Sequence, residues 1–223
     1  MIHPESIPKH EAARYMGVKG EPSASVAELL DRLEPVVRAV IRPCYVFRET
    51  TVEHDEQGVH LGCMSVPLTG KSVAEHLKDC GKAVILAATL SSEADKLIRR
   101  LAVTDMAESL AADSLCSAAI ETVCDLAEEE IFSRINAPYR TWRFSPGYGD
   151  LPLELQADLL DALNAQRRIG LTVTENSLLV PTKSVTAIIG ISESPVAGSG
   201  VGCQNCCMRE SCAFRRSGIK CVK

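Results

Sequence analysis

The spacing of apolar residues along the chain predicts six helices. They cover residues 8–17, 26–41, 72–79, 93–101, 105–135 and 151–168. Ser25 with Glu28, and Ser72 with Glu75, each have the form of a capping box, in which serine and glutamate satisfy unpaired N–H groups at a helix start. Pro35 should kink or split the second helix, because it has no N–H and its ring clashes one turn back.

Other segments have the patterns of strands. Residues 44–52 and 59–66 have strand-like composition and flank the turn-forming stretch 55–58. Together, these three segments predict a hairpin. Residues 83–90 form a continuous apolar run suited to a strand that is buried on both faces. Three short strands are predicted at 171–174, 177–180 and 184–191. Because helices and strands mix without regular β-α-β alternation, we expect an α+β fold with a largely antiparallel sheet flanked by helices.

The periodic pattern ends near residue 193. Residues 194–202 are rich in small side chains and have the composition of a linker. We therefore expect one α+β domain over residues 1–193, followed by a linker and a cysteine-rich tail over residues 194–223.

Charge and composition exclude several classes of protein. The net charge of -5, without a basic and aromatic stripe before the tail, argues against a nucleic-acid binder. The first residues have neither a basic start nor an apolar run, so no signal peptide is expected. The longest apolar run is too short to span a bilayer. We expect a cytoplasmic protein, in which ten cysteines are thiols or metal ligands rather than disulfides.

The cysteines fall into two groups. Five are dispersed through apolar segments and are interpreted as small buried hydrophobes: Cys44, Cys63, Cys80, Cys116 and Cys124. The other five lie in the last 21 residues: Cys203, Cys206, Cys207, Cys212 and Cys221. Because the adjacent Cys206 and Cys207 rarely bind the same ion, the predicted ligand set for an iron–sulfur cluster or zinc is Cys203, Cys206, Cys212 and Cys221.

The charge of the tail is compatible with such a centre. From residue 203 onward the chain has five Arg or Lys and a single acid, Glu210, which gives a local charge of +4 before any thiolate ionises. This charge would offset an anionic cluster or contact an acidic partner. The alternative is a disordered tail with free thiols.

Several common catalytic patterns are missing from the sequence. The five histidines have no metal-ligand spacing and are interpreted as surface residues. No Gly-x-Ser-x-Gly elbow and no Rossmann glycine pattern supports a hydrolase or a nicotinamide enzyme. Gly70-Lys71-Ser72 resembles the end of a phosphate-binding loop, but Ser65 stands where that motif requires glycine. We therefore reject a nucleotide-phosphate site there.

The most unusual stretch is Arg143-Phe144-Ser145-Pro146-Gly147-Tyr148-Gly149-Asp150. Its proline and glycines allow a tight turn and a close approach to a bulky group. Arg143 can bind a carboxylate or phosphate, Tyr148 offers a flat face with a polar tip, and Asp150 can accept from an ammonium or a hydroxyl. The structural alternative is a simple turn in which Tyr148 packs and Asp150 caps the next helix.

This stretch resembles the activation domain of cobalamin-dependent methionine synthase. The specific part is Arg-x-x-Pro-Gly-Tyr, formed by Arg143, Pro146, Gly147 and Tyr148. Further matching positions follow, and the resemblance extends over about residues 8–192: Thr174, Glu175, Ser177, Pro181, Ser184 and Val185. It implies a twisted antiparallel sheet, S-adenosylmethionine as ligand, and reductive methylation of cob(II)alamin.

The resemblance also implies roles for residues and partners. Arg143 would bind the carboxylate of S-adenosylmethionine and Tyr148 its adenine or ribose. Carbonyls around Pro146 and Gly147, with Glu121 or Asp150, would face the ammonium and sulfonium. The chain has no corrinoid module, so cobalamin must arrive on a methionine synthase or methyltransferase, with flavodoxin or ferredoxin as electron donor.

Two other functions remain open on the sequence alone. In one, the tail cysteines hold the working centre of an iron–sulfur or metal-binding electron-transfer module. In the other, the tail of a scaffold protein binds structural zinc. The tail lies outside the methionine synthase pattern, so the resemblance does not decide its role.

Overall fold

A computed structural model describes residues 2–196 of the chain. Its helices are α1 (Lys9–Tyr15), α2 (Ala24–Val40), α3 (Lys71–Leu77), α4 (Ser92–Thr104), α5 (Met106–Arg134), α6 (Leu155–Leu163) and α7 (Ala165–Ile169). Its strands are β1 (Cys44–Asp55), β2 (Gly58–Leu61), β3 (Lys82–Thr89), β4 (Tyr139–Arg140), β5 (Thr172–Val173), β6 (Leu179–Val180) and β7 (Ser184–Ser192). Among these helices, none combines the length and apolar character that crossing a membrane requires.

The strands form one larger and one smaller sheet. The five-stranded sheet has the order β2-β1-β3-β7-β4, and β5 pairs with β6 in a separate two-stranded sheet. Antiparallel pairing places Val52 of β1 opposite Leu61 of β2, and Tyr139 of β4 opposite Ser192 of β7. The mixture of helices and antiparallel strands confirms the predicted α+β class.

The described residues divide into two compact units. The first contains residues 2–46, 87–134 and 164–185, and the second contains residues 47–86, 135–163 and 186–196. Three strands, β1, β3 and β7, begin in one unit and end in the other. The predicted boundary at residue 193 and the tail ligands Cys203, Cys206, Cys212 and Cys221 lie at or outside the end of the described residues and remain predictions.

The first unit is built around α5. The middle of this helix is buried on nearly every side, which is typical of a core helix. Alanines dominate the buried positions, including Ala111, Ala112, Ala118 and Ala119, and they let α1, α2 and α4 pack closely against it. Leu115 is fully buried among them, and burial of one such side chain contributes roughly 1.5–3 kcal/mol.

The second unit has its buried centre along β7. Ala187, Ile188 and Ile189 are all inaccessible to solvent, so this strand is covered on both faces. Gly190 follows them because a Cβ there would collide with the side chains of Cys80 and Leu77. Thr186 at the start of this segment donates a buried hydrogen bond to the Gln156 side chain of α6.

Several local predictions are wrong in detail. The N-cap of α2 is Ser23, which accepts from Val26 N at 3.4 Å, so the predicted box at Ser25 is two residues late. Helix α2 continues through Pro35 without a break. The predicted helix 151–168 is two helices, because Asn164 between them adopts the left-handed conformation at φ 52°. Strand β4 was not predicted.

The dispersed cysteines fit their interpretation in part. Cys80, Cys116 and Cys124 are buried, but Cys44 is exposed and Cys63 is intermediate. Burial raises the pKa of the Cys80 thiol to about 11 and that of Cys116 to about 12; nearby acids add to both shifts, and the charge of Lys183 opposes the shift at Cys116. These two thiols therefore stay protonated at neutral pH and behave as small core side chains.

Candidate functional site

The stretch 143–150 is anchored by the segment before it, which runs along the edge of β7. Tyr139 and Arg140 pair with the end of β7, and Thr141 N donates to Gly190 O at 3.0 Å. Phe144 exchanges two backbone hydrogen bonds with Ile188, at 3.0 and 2.8 Å. The sequence gives little sign of this pairing, because β4 is only two residues long and its partner lies far along the chain.

The pairing contains a bulge at Arg143. Thr141 is bonded to Gly190 and Phe144 to Ile188, so two residues, Trp142 and Arg143, lie opposite one residue of β7. An extra residue of this kind bends the strand and redirects its side chains, and such bulges are frequent beside functional sites. Arg143 is intermediate in burial at this position. The bulge therefore interrupts the regular alternation of side chains at Trp142 and Arg143.

A tight turn follows the bulge and presents Tyr148. Tyr148 N donates to Ser145 O at 3.0 Å, and Gly147 has a φ of 88°. Proline at the second position and a positive φ at the third define a type II turn, which explains the Pro146-Gly147 pair. Tyr148 is the fourth residue of the turn, and 43% of its surface is exposed.

Four rings lie together beneath and beside this turn. Phe144 contacts the rings of Trp142 and Tyr148, with centroids 5.3 and 6.0 Å away. Trp142 is 6.1 Å from Tyr148 and inclined to it by 32°. His76 of α3 completes the aromatic cluster, 4.9 Å from Trp142 and 4.8 Å from Phe144. The exposed ring of Tyr148 thus rests on a packed aromatic base.

His76 is held in this cluster as a neutral side chain. Its Nε2 lies 2.8 Å from Thr141 Oγ1, which also accepts from Gly190 N at 2.8 Å. Burial lowers the pKa of His76 to about 4, and a hydrogen bond with the Trp142 carbonyl opposes only part of this effect. The expectation that all five histidines lie on the surface is therefore wrong for His76. Its spacing from the buried Val73 and Leu77 on one helix face is the signal that could have revealed it.

Asp150, at the end of the stretch, caps α3. Its carboxylate accepts from Lys71 N at 2.7 Å and from Ser72 N at 2.9 Å. These bonds, with that from the Ser72 hydroxyl, lower the pKa of Asp150. The residue preceding the helix is Gly70, which offers no side-chain cap. The predicted capping box at Ser72 is therefore wrong: the cap comes from residue 150, and it serves α3 rather than the next helix.

Two glycines make this contact possible. A Cβ on Gly70 would lie 2.7 Å from Asp150 Oδ1, and a Cβ on Gly149 would collide with Ser72. Both glycines also have positive φ, 126° at Gly70 and 57° at Gly149. The Gly70-Lys71-Ser72 sequence, rejected as a phosphate loop, thus has a structural role in receiving Asp150.

The structure brings most of the predicted ligand residues into one loop. Arg143, Pro146, Gly147, Tyr148 and Asp150 all belong to the stretch after β4 in the second unit. Residues that the sequence analysis did not single out, His76, Thr141 and Trp142, support that loop. Within residues 2–196, no group of three or more His, Cys, Asp or Glu side chains is arranged to hold a metal ion.

Glu121, the remaining predicted ligand residue, lies on α5 in the first unit. Burial raises the pKa of Tyr15, at the end of α1, and the charge of Glu121 raises it further. The Arg14 guanidinium lies 4.6 Å from the centroid of the Tyr15 ring and opposes that shift. Glu121 therefore belongs to a polar group on the first unit that includes Arg14 and Tyr15.

Comparison with known proteins identifies the family. The family described as vitamin B12 dependent methionine synthase, activation domain, matches residues 84–196, just over half of the 223 residues. The fold is similar to the crystal structure of the MetH reactivation domain bound to AdoHcy, with a TM-score of 0.60 and 14% identity. That match covers 96% of this chain and 85% of the other. No curated protein sequence matches the chain significantly.

The neutral state of His76 predicts a loss of stability in acid. Because the folded pKa is depressed from 6.5 to about 4, the unfolded chain takes up the proton first as the pH falls. The stabilisation is complete above pH 6.5 and is lost between that value and pH 4. Urea unfolding should show the advantage of wild type over His76→Asn shrinking by roughly 2–3 kcal/mol across this range.

The exposed His10 of α1 provides the matched control, as His10→Asn, measured in the same buffers. A difference between wild type and His76→Asn that does not vary with pH would contradict a neutral His76.

Proposed function

Because this chain belongs to the family of vitamin B12-dependent methionine synthase activation domains, we propose that it binds S-adenosylmethionine and supports reactivation of a corrinoid protein. The family and the fold agree with the resemblance seen in the sequence. The observation that carries the proposal is the loop at 143–150, in which a bulged arginine and an exposed tyrosine are joined by a type II turn.

The loop fits the chemistry of S-adenosylmethionine. The Arg143 guanidinium can hold the carboxylate of the ligand with two parallel hydrogen bonds. Tyr148 presents an exposed ring on which an adenine or ribose can lie, and the aromatic cluster keeps that ring in place. Backbone carbonyls around Pro146 and Gly147 are the predicted neighbours of the sulfonium.

A carboxylate for the ligand ammonium is a separate prediction. The sequence offers Glu121 and Asp150 as candidates. In the second unit, Asp150 already accepts hydrogen bonds from α3. Glu121, on the first unit, remains a proposed ligand group.

The proposed task of the protein is to position a methyl donor. Reactivation adds one electron to cob(II)alamin, and the resulting cob(I)alamin takes the methyl group of S-adenosylmethionine, leaving S-adenosylhomocysteine. The cobalt is itself the nucleophile, so no general base is required from the chain. Arg143 and Tyr148 would hold the donor, and the rigid base under Tyr148 would limit its motion.

The corrinoid and the electron are proposed to come from other proteins. Nothing in the family match or the fold adds a cobalamin-binding module to residues 2–196. A methionine synthase or methyltransferase carrying the corrinoid is therefore the proposed partner, and a flavodoxin or ferredoxin the proposed electron donor. The exposure of Tyr148 at the second unit supports access by such a partner.

The cysteine tail supports a second proposal. Cys203, Cys206, Cys212 and Cys221 would hold an iron–sulfur cluster or zinc, and a cluster could pass the single electron that reactivation consumes. The alternative function, an electron-transfer module working through the tail alone, would require no loop such as 143–150. The presence of that loop favours the reactivation role.

We expect Arg143→Ala to weaken binding of S-adenosylmethionine about tenfold to a hundredfold in calorimetry. Loss of a charge-assisted double hydrogen bond costs roughly 1.5–3 kcal/mol. The affinity of Arg143→Lys should lie between those of wild type and Arg143→Ala, because lysine keeps the positive charge but cannot form two parallel hydrogen bonds. Arg100→Ala, at an exposed position of α4, is the control. Absence of binding by folded wild type, or an unchanged affinity in Arg143→Ala, would contradict the assignment.

The reactivation activity can be followed in the visible spectrum. A mixture of this protein, a corrinoid protein in the cob(II)alamin state, a low-potential reductant and S-adenosylmethionine should develop the spectrum of methylcob(III)alamin. Omission of the protein, the reductant or the methyl donor should prevent the change. If the complete mixture stays as cob(II)alamin with every corrinoid protein of the same organism, the reactivation role is wrong even if S-adenosylmethionine binds.

The tail proposal distinguishes two adjacent cysteines. After anaerobic purification of the full chain, Cys206→Ser should lose most of its metal and its visible absorption, since it removes a predicted ligand. Cys207→Ser, one residue away, should keep both. A wild-type protein that stays metal-free and colourless after reconstitution, or equal effects of the two substitutions, would contradict the predicted ligand set.

A further inference from the structure

Helix α3 contacts the loop 143–150 at two places. At its first turn, the N–H groups of Lys71 and Ser72 are bound by Asp150. At its last turn, His76 packs against Trp142 and Phe144 and bonds to Thr141. The exposed Tyr148 lies in sequence between these two attachment points. A single short helix therefore holds the loop on both sides of its exposed ring.

The Asp150 carboxylate has little capacity left for a ligand. A carboxylate offers about four acceptor positions. Lys71 N occupies one on Oδ2, Ser72 N occupies one on Oδ1, and the Ser72 hydroxyl donates a third hydrogen bond. The first two bonds are 2.7 and 2.9 Å long, which is the range of charge-assisted contacts.

The packing around this cap is as tight as the hydrogen bonding. Gly70 and Gly149 approach the opposite segment so closely that neither has room for a Cβ. The glycine of the helix meets Asp150, and the glycine of the loop meets Ser72. The contact is therefore reciprocal: each segment contributes a glycine that receives a polar side chain of the other.

We propose that Asp150 is a positioning residue, which fixes Gly149 and Tyr148 by capping α3 and does not itself bind the ligand. This inference rests on the proposed binding of S-adenosylmethionine by Arg143 and Tyr148. It assigns to α3 the task of holding the Tyr148 ring in its binding orientation. Loss of the cap releases the loop from the helix and lowers affinity through the orientation of Tyr148.

The decisive comparison is between two substitutions of the same residue. Asparagine keeps one acceptor oxygen and can still accept from one of the two N–H groups, whereas alanine can accept from neither. Asp150→Ala should therefore lower the affinity for S-adenosylmethionine by roughly three- to thirtyfold, and Asp150→Asn should lower it clearly less. If Asp150 instead binds the ligand ammonium, both substitutions remove the charge and should weaken binding equally. That outcome would overturn the inference.

Two readouts test the cap without any ligand. Amide hydrogen exchange should become faster for both Lys71 and Ser72 in Asp150→Ala, and for only one of them in Asp150→Asn. Trp142 is the single tryptophan of the chain and lies 6.1 Å from Tyr148, so its fluorescence reports on the loop. Acrylamide should quench it more readily in Asp150→Ala than in Asp150→Asn. Unchanged exchange and quenching in Asp150→Ala would contradict the positioning role.

The control and a second route complete the experiment. Glu154→Gln removes an exposed carboxylate from the same connecting segment and should change none of the three readouts. Gly70→Ala disturbs the same contact from the helix side and should resemble Asp150→Ala. If Gly70→Ala and Asp150→Ala act through the same contact, the variant with both substitutions should have about the affinity of the weaker-binding single variant. Fully additive losses would show that the two positions act separately.

The outcomes also separate this inference from the proposed function. Failure of wild type to bind S-adenosylmethionine would remove the function, while exchange and fluorescence would still decide whether Asp150 holds the loop. Binding by wild type with equal affinity in Asp150→Ala would leave the function intact and remove the positioning role. Asp150→Asn retains one acceptor oxygen at an exposed position, so it also gives an answer if the alanine variant does not fold.

Discussion

The pairing of residues 139–144 with β7 is the interaction on which the candidate site depends. β7 is buried on both faces over Ala187–Ile189, so its position is set by the core of the second unit. The hydrogen bonds of Thr141 to Gly190 and of Phe144 to Ile188 tie the loop to that fixed strand. The extra residue between them interrupts the strand alternation at Arg143, and the turn that presents Tyr148 begins one residue after Phe144. Without this edge pairing, the turn would have no defined position relative to the core of the second unit.

Neutral and charged groups are used differently on the two sides of the loop. His76, between Trp142 and Phe144, is neutral because burial makes the imidazolium costly. Asp150 stays ionised because three donors stabilise its charge at an exposed position. The buried side therefore provides shape and the exposed side provides an electrostatic cap. Each group has the protonation state that its surroundings favour at neutral pH. Because His76 is uncharged, the aromatic cluster holds no charge that a counter-ion would have to neutralise.

The sequence predicted the features that depend on local pattern. Apolar periodicity located the long helices and the buried strands, and turn chemistry placed Pro146 and Gly147 in a tight turn. It could not predict the partner of a short edge strand such as β4, since that depends on a segment some fifty residues away in the chain. The cap of α3 was missed for the same reason, because donor and acceptor are 79 residues apart. His76 shows a different limit: it was interpreted as a surface residue although its helix face could have indicated burial, and only the fold reveals the rings that surround it.

The reciprocal glycines of α3 and the loop make the site discontinuous in sequence. The Arg-x-x-Pro-Gly-Tyr stretch is contiguous, yet its geometry also requires Gly70 and the first turn of α3, because a side chain at either glycine would force the segments apart. Grafting residues 143–150 onto another scaffold would therefore transfer the sequence of the motif without the first turn of α3 that fixes its conformation. In this chain the site is therefore specified by two separate segments, a glycine before a short helix and Gly-Asp after the tyrosine, together with the contiguous motif.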